Sequence, residues 1–252
     1  MSAEPSVDLP VPDSALVVAA HPDDAEFQCG GTLARWARHG CVVHHLVLTD
    51  GSKGTWDPSA DPAALVLRRG EEQRRAAEAL GATGEVVLLG HTDGELQADA
   101  STRAEVAAVL RRLRPAVVLA HDPWRRYRLH PDHAAAGRLA VDGIVAARDP
   151  FFHPEQLEIG LDVHRPSALL LFEADEVNHL ESVPEQDAAA KLAGLEAHTS
   201  QMETTHFYRL GPDEEADALA GFRSRERRKL AETGEAHGMG PAEAYHLITD
   251  KL

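Results

Sequence analysis

Two short stretches carry the residues most able to do chemistry. The first is AHPDDAEFQCGG, residues 20–31, which presents His21, Asp23 and Asp24 directly after an apolar run. The second is HDPWRRYRLHPDH, residues 121–133, which ends in His130, Asp132 and His133. Pro22 fixes one backbone angle, so the turn that displays the first set is stiff. Clustered carboxylates repel one another unless a cation neutralises them or they share protons. Two imidazoles and a carboxylate around an open position suit catalytic zinc, and the same set suits ferrous iron as a facial triad. A nucleotide-binding loop fits badly. The GxGxxG spacing is absent, and Asp23, Asp24 and Glu26 would face the phosphates. A structural zinc site is also disfavoured, because such sites are usually closed and rich in cysteine.

Both stretches must be placed by strands. Residues 15–20 form a continuous apolar run of the kind found in strands buried on both faces. Further strands are expected at 42–48, 85–89, 116–120 and 167–172, with helices at 30–39, 65–80, 102–113 and 133–147 between them. Ser101 reads as the N-cap of the third helix. This alternation predicts an α/β fold, a Rossmann-like and mostly parallel sheet with helices on both faces and a mainly helical C-terminal appendage. In such sheets the winding commonly reverses after the third strand, which sets the first and fourth strands side by side. The two acidic, histidine-rich loops would then meet in one crevice. The expected organisation is a flexible tail over 1–13, a catalytic unit over 14–180 and a helical extension over 181–252 that completes the same domain. Residues 51–62 and 149–166 read as long irregular loops, of the kind that are functional or mobile.

Composition narrows the partners. Lysine and arginine number 25 against 41 aspartates and glutamates, a formal charge of −16. That field repels nucleic acid and disfavours an anionic membrane surface. No apolar run approaches the roughly 20 residues that span a bilayer. The N-terminal residues are acidic and proline-rich, unlike a secretory signal, so a cytoplasmic location is expected. Cys29 and Cys41 are the only cysteines and cannot form a disulfide framework.

At these motifs the sequence resembles the LmbE-like (PIG-L) family of zinc-dependent N-acetylglucosaminyl deacetylases. That family has an AHPDD-type motif after its first strand and a later HPDH-type motif, and both are intact. Arg69 and Glu72, followed by Ala76, Ala77, Leu80 and Gly81, match a family helix, so the resemblance covers about residues 14–147. His198 to Gln201 give a weaker echo. The resemblance implies His21, Asp24 and His133 as ligands of Zn2+, with Fe2+ as the other candidate. It implies Asp23 as general base and His130 as the group that stabilises the intermediate or protonates the leaving amine. Asp132 would orient His130 from behind. It also implies a small-molecule substrate of the amino-sugar type, and it allows a homo-oligomer, trimer or hexamer.

Substrate contacts suggested by the resemblance are Arg69, Asp93 and Tyr127. Each has a plainer reading: pairing with Glu72, a turn beside Gly94, and a shifted register in a long basic loop. Trp124, Arg125, Arg126 and Arg128 could line the mouth of the site or pair with surface carboxylates. Cys29 could be a ligand or a small buried residue. The expected function is metal-dependent removal of an N-acyl group, most simply N-acetyl, from an amino sugar or sugar conjugate. The alternatives are an amidase acting on a thiol-sugar conjugate or natural-product glycoside, and a metal-containing binding protein without turnover.

Overall fold

An uninterrupted apolar run is stable as a strand only where both faces are covered, and β2 (Ser14–Ala19) meets that condition. Leu16 and Val18 enter one core, while Ala15, Val17 and Ala19 enter the other. The computed structural model describes residues 4–207, 217–250 and 252. In chain order these contain β1 (Ser6–Val7), β2, α1 (Asp24–Arg38), β3 (Val42–Thr49), α2 (Pro62–Ala79), β4 (Val86–His91), α3 (Ala100–Leu113) and β5 (Val117–His121). There follow α4 (Pro131–Arg148), α5 (Pro154–Glu158), β6 (Ala168–Phe172), β7 (His179–Ser182), α6 (Glu185–Ala197), α7 (Ala218–Glu235) and β8 (Ala242–Ile248). The strands form one sheet in the order β1-β7-β8-β6-β5-β2-β3-β4.

β2 pairs in parallel with both β5 and β3, so the two motif-bearing strands are neighbours as the winding reversal requires. β8 alone runs against its neighbours, lying antiparallel between β6 and β7. Helices α3 and α4 pack together on one side of the sheet; α1, α2 and α6 pack together on the other. No helix of the described residues is long and apolar enough to cross a membrane.

Four local expectations need correction. First, α1 begins at Asp24 rather than at the glycine pair, so Asp24 is its first residue. The pair sits mid-helix for packing: a Cβ on Gly31 would lie 2.5 Å from Val183 Cγ1. Second, Asp99 rather than Ser101 caps α3, accepting the Thr102 N–H at 2.9 Å. Third, the segment read as a mainly helical extension is mainly helical, with α6 and α7, but it also contains β8. Its Ala-Glu-Ala start looks helical, yet it is pinned between two strands whose ladders need partners. Fourth, within the segment read as a tail, Ser6–Val7 pairs with β7, and the loop over 149–166 holds the short α5. Arg111 fixes the start of that loop through the carbonyls of Asp149, Phe152 and His153.

Candidate active site

The carboxyl ends of β2, β4 and β5 converge, and each delivers part of one acidic, imidazole-rich cluster. Asp24 opens α1, where the positive end of the helix dipole favours a carboxylate. Its Oδ2 accepts the backbone N–H of His21 at 2.8 Å, which ties the turn to the helix start. Across the crevice, α4 starts at Pro131 and brings in Asp132 and His133. A Cβ on Gly137 would sit 2.4 Å from the His121 carbonyl, so glycine lets α4 press against the end of β5. His133, one turn earlier, consequently stacks on His121 with ring centroids 4.3 Å apart.

Asp24 is the centre of the cluster. Its Oδ2 lies 3.3 Å from His21 Nδ1 and 3.3 Å from His121 Nε2, and its Oδ1 lies 3.3 Å from His133 Nε2. Burial opposes ionisation here, but His133 and His121 outweigh it and hold the carboxyl well below its usual range. The other side of His21 meets Asp132 Oδ2 at 3.0 Å and Asp93 Oδ1 at 3.2 Å. Burial acts to lower the His21 pKa, yet Asp132, Asp24 and Asp93 together push it up to about 12. So many carboxylates around one ring call for positive charge, a demand that a divalent cation also answers. Three overlapping donor triads have ligand atoms within 4.8 Å of one another: His21, His130 and His133; Asp24, His121 and His133; His21, Asp93 and Asp132. The donor set therefore fits a metal ion.

Asp23 is buried beside this cluster in an open cavity of about 520 Å3, which His130, Arg69, Lys53 and Thr205 also line. Burial raises the Asp23 carboxyl to about 6, with Arg69 working against the rise from 3.5 Å. His130 is exposed at the rim, and its ring lies 4.6 Å from His21 and 4.8 Å from His133. Burial and these neighbouring rings lower its pKa.

Several sequence expectations change here. Asp132 orients His21, not His130. It is buried and turned inward, where it also accepts the N–H groups of Gly94 and Leu96. Tyr127 is 93 % exposed, in a left-handed turn with φ 56°, and does not reach the cavity. The next residue but one before His130, Arg128, points inward instead and bonds Glu173 at 2.7 Å. Arg125 and Arg126 also pair with carboxylates, Glu173 and Asp175, so the basic loop is neutralised by its own protein. Arg69 lines the cavity, but its guanidinium donates to the carbonyls of Gly51 and Pro22. Asp93 is in the cluster through His21. Cys29 lies in the core, donating to the Ala25 carbonyl, with its thiol pushed well up by burial.

Sequence reading missed His121 and Glu173 as members of the site. His121 is the last residue of β5, the strand paired with β2, and like His21 it follows an alanine at the carboxyl end of its strand, which was the available signal. Glu173 follows β6 in the same way, 3.4 Å from His121 Nδ1. Burial raises its carboxyl, but His121 and Arg128 bring it down to about 2.

The GlcNAc-PI de-N-acetylase (PIG-L) family profile matches residues 16–144. The diacetylchitobiose deacetylase of Thermococcus kodakarensis is 37% identical over 186 residues, 74% of this chain and 69% of that protein. A 1D-myo-inositol 2-acetamido-2-deoxy-alpha-D-glucopyranoside deacetylase of Actinosynnema mirum is 32% identical over 234 residues, 77% of this chain and 82% of that one. Among solved structures, the N,N'-diacetylchitobiose deacetylase of Pyrococcus horikoshii superposes with a TM-score of 0.82 at 28% identity, covering 94% of this chain and 84% of that chain.

Proposed function

This chain belongs to the PIG-L family, and from that membership we propose that it is a zinc-dependent hydrolase removing an N-acetyl group from an amino sugar or sugar conjugate. One observation carries the reading. His21 and His133 flank the two oxygens of Asp24 beside a cavity whose wall also holds Asp23.

His21, Asp24 and His133 would hold the metal, with His121 bracing Asp24. A bound zinc ion supplies a Lewis acid that polarises a carbonyl and brings the pKa of water down to about 7. With a metal bound, Asp132 would accept the proton of His21 Nε2 and so fix the tautomer that leaves Nδ1, on the Asp24 side of the ring, as the ligand atom. Asp24 is committed to its imidazoles, which leaves Asp23 to accept the proton of the attacking water. A carboxyl near 6 suits that task at neutral pH. His130, at the rim, is placed to donate to the developing oxyanion or the departing amine. The rest of the wall suits a polyhydroxylated ligand, with Lys53, Gln201, Thr204 and Thr205 offering polar groups.

The test is release of primary amine and acetate from N-acetylglucosamine, N,N'-diacetylchitobiose and N-acetylglucosaminyl-inositol. Turnover of at least one is expected, abolished by chelator and restored by added zinc. A protein carrying one metal per chain that cleaves none of them would overturn the reading and favour a binding protein.

A further inference from the structure

One face of α2 grips the Pro22–Asp23 peptide by both of its edges. Arg69 Nη2 donates to the Pro22 carbonyl at 2.6 Å, and Gln73 Oε1 accepts the Asp23 N–H at 3.1 Å. The two side chains are four residues apart, hence neighbours on the helix surface. The peptide they hold is not at rest in an ordinary conformation. Asp23 has φ 102° and ψ −24°, in the left-handed region that residues other than glycine seldom occupy. Rotation of this one peptide plane, changing the ψ of Pro22 and the φ of Asp23 together, would return Asp23 to a common conformation. Such a rotation also tilts the Asp23 Cα–Cβ bond, because the nitrogen lies off the Cα–Cα axis, and so shifts the carboxylate at the end of the side chain.

The Gln73 amide is itself held in one sense. Its Nε2 donates to Glu26 Oε1 at 2.8 Å, and an ionised carboxylate can only accept, so the amide oxygen must face Asp23. Glu26 Oε2 stands 3.3 Å from His198 Nε2. Gln73, Glu26 and His198 are fully buried, and none lines the cavity, so none touches a ligand there.

We propose that Gln73, oriented by Glu26, is a positioning residue for the hydrolysis: it locks the Pro22–Asp23 peptide so that the Asp23 carboxylate faces the cavity. This rests on the reading of Asp23 as the base. The brace explains why a buried glutamine and a buried glutamate lie behind the metal site without contributing a ligand atom to it. It also gives α2 a part in catalysis through the backbone of a loop it never joins.

The experiment uses the full metal-loaded chain with N,N'-diacetylchitobiose as probe. Gln73→Met keeps the side-chain length and removes the acceptor; Gln73→Glu combined with Glu26→Gln keeps an acceptor oxygen for the Asp23 N–H and a donor–acceptor contact behind it. Displacing a reacting group by about 1 Å can cost on the order of 100-fold, and a loss of that size in kcat at nearly unchanged KM is expected for Gln73→Met. The Gln73→Glu, Glu26→Gln pair should recover most of it, and both proteins should bind one metal per chain. In an Asp23→Asn background the added Gln73→Met change should cost less than about 2-fold, since residues acting through one group are not additive. Equal losses for Gln73→Met and the exchanged Gln73→Glu, Glu26→Gln pair, or full additivity in the Asp23→Asn background, would overturn the proposal. Full activity of Asp23→Asn alone would instead overturn the base assignment. The brace is then read from the crystal structure of Gln73→Met, where an unchanged Asp23 φ would count against it.

Discussion

Asp24 Oδ1 stands 3.3 Å from His133 Nε2, joining the first residue of α1 to the first turn of α4 across neighbouring strands β2 and β5. That contact turns two distant motifs into one donor set, and it makes metal content the most direct readout of the site.

Replacing either partner should empty the site. Asp24→Ala and His133→Ala should each fall well below one metal per chain after dialysis, measured by elemental analysis. The loss should be larger for Asp24→Ala, because its carboxylate is shared by three imidazoles. Normal stoichiometry in His133→Ala would mean that His121 is the third ligand instead.

Asp23→Asn should separate chemistry from metal binding. The variant keeps its metal, while kcat falls by about 10²–10⁴-fold, the usual size of a general-base contribution. Steady-state amine release alongside elemental analysis reads both. Undiminished turnover in the loaded variant would remove Asp23 from the mechanism.

Asp132→Ala should weaken metal binding without touching a ligand. Its carboxylate is the 3.0 Å partner of His21 Nε2, and loss of such a partner typically costs about 10–100-fold in metal affinity. Competition with a chelating indicator measures it. An unaltered affinity would show that His21 is held by Asp93 alone.

Gly137→Ala should couple stability to the site. The new methyl group would meet the His121 carbonyl at 2.4 Å, where backbone rather than a flexible side chain must give way. Overpacking of this kind costs about 1–3 kcal/mol, which for a chain of this size lowers the melting temperature by roughly 2–10 °C. Metal affinity should fall with it, since α4 carries His133. Gly240→Ala is the control, because nothing lies within 4 Å of the place its methyl group would take. Scanning calorimetry compares the two.

The cysteines should be silent to thiol reagents in the native state. Burial, reinforced by Asp13, pushes the Cys41 thiol up to about 12, and burial, reinforced by Glu243, holds the Cys29 thiol well above its ordinary value. With the folded pKa above the unfolded one, the Cys41 contribution to stability is complete below about pH 9 and is lost progressively from there toward about 12. An aromatic disulfide reagent at pH 8 should titrate no thiol in the native protein and two after denaturation. Rapid reaction of the folded chain would contradict the burial of both.

Much of the architecture was legible because parallel strands buried on both faces leave a plain signal. β2, β5 and β6 are largely apolar runs, and the adjacency of β2 and β5 followed from the winding rule alone. Helix starts were harder to read. Gly30 and Gly31 suggest a helix boundary, but they serve close contacts with Lys191 and Val183 respectively, which no local pattern encodes. β8 was missed because alanine and glutamate favour helices until two strands bracket them. Within the site, the loops that carry the candidate ligands were legible as motifs, whereas the partner of Asp132 was not. Which ring a carboxylate faces depends on how deeply α4 seats, and that is set by Gly137. Tyr127 and Arg128 are adjacent in sequence, and a single left-handed turn decides which of them faces inward.

The sheet order has a consequence for how the molecule is made. β1 and β7 touch the remaining strands only through β8, which the ribosome produces after all of them. The five strands that frame the crevice can therefore assemble early, while β1 has no partner until β7 is made and the β1–β7 pair joins the sheet only when β8 follows. The sheet is stitched together last at a point inside it rather than at an edge, a long-range closure of the kind that slows folding.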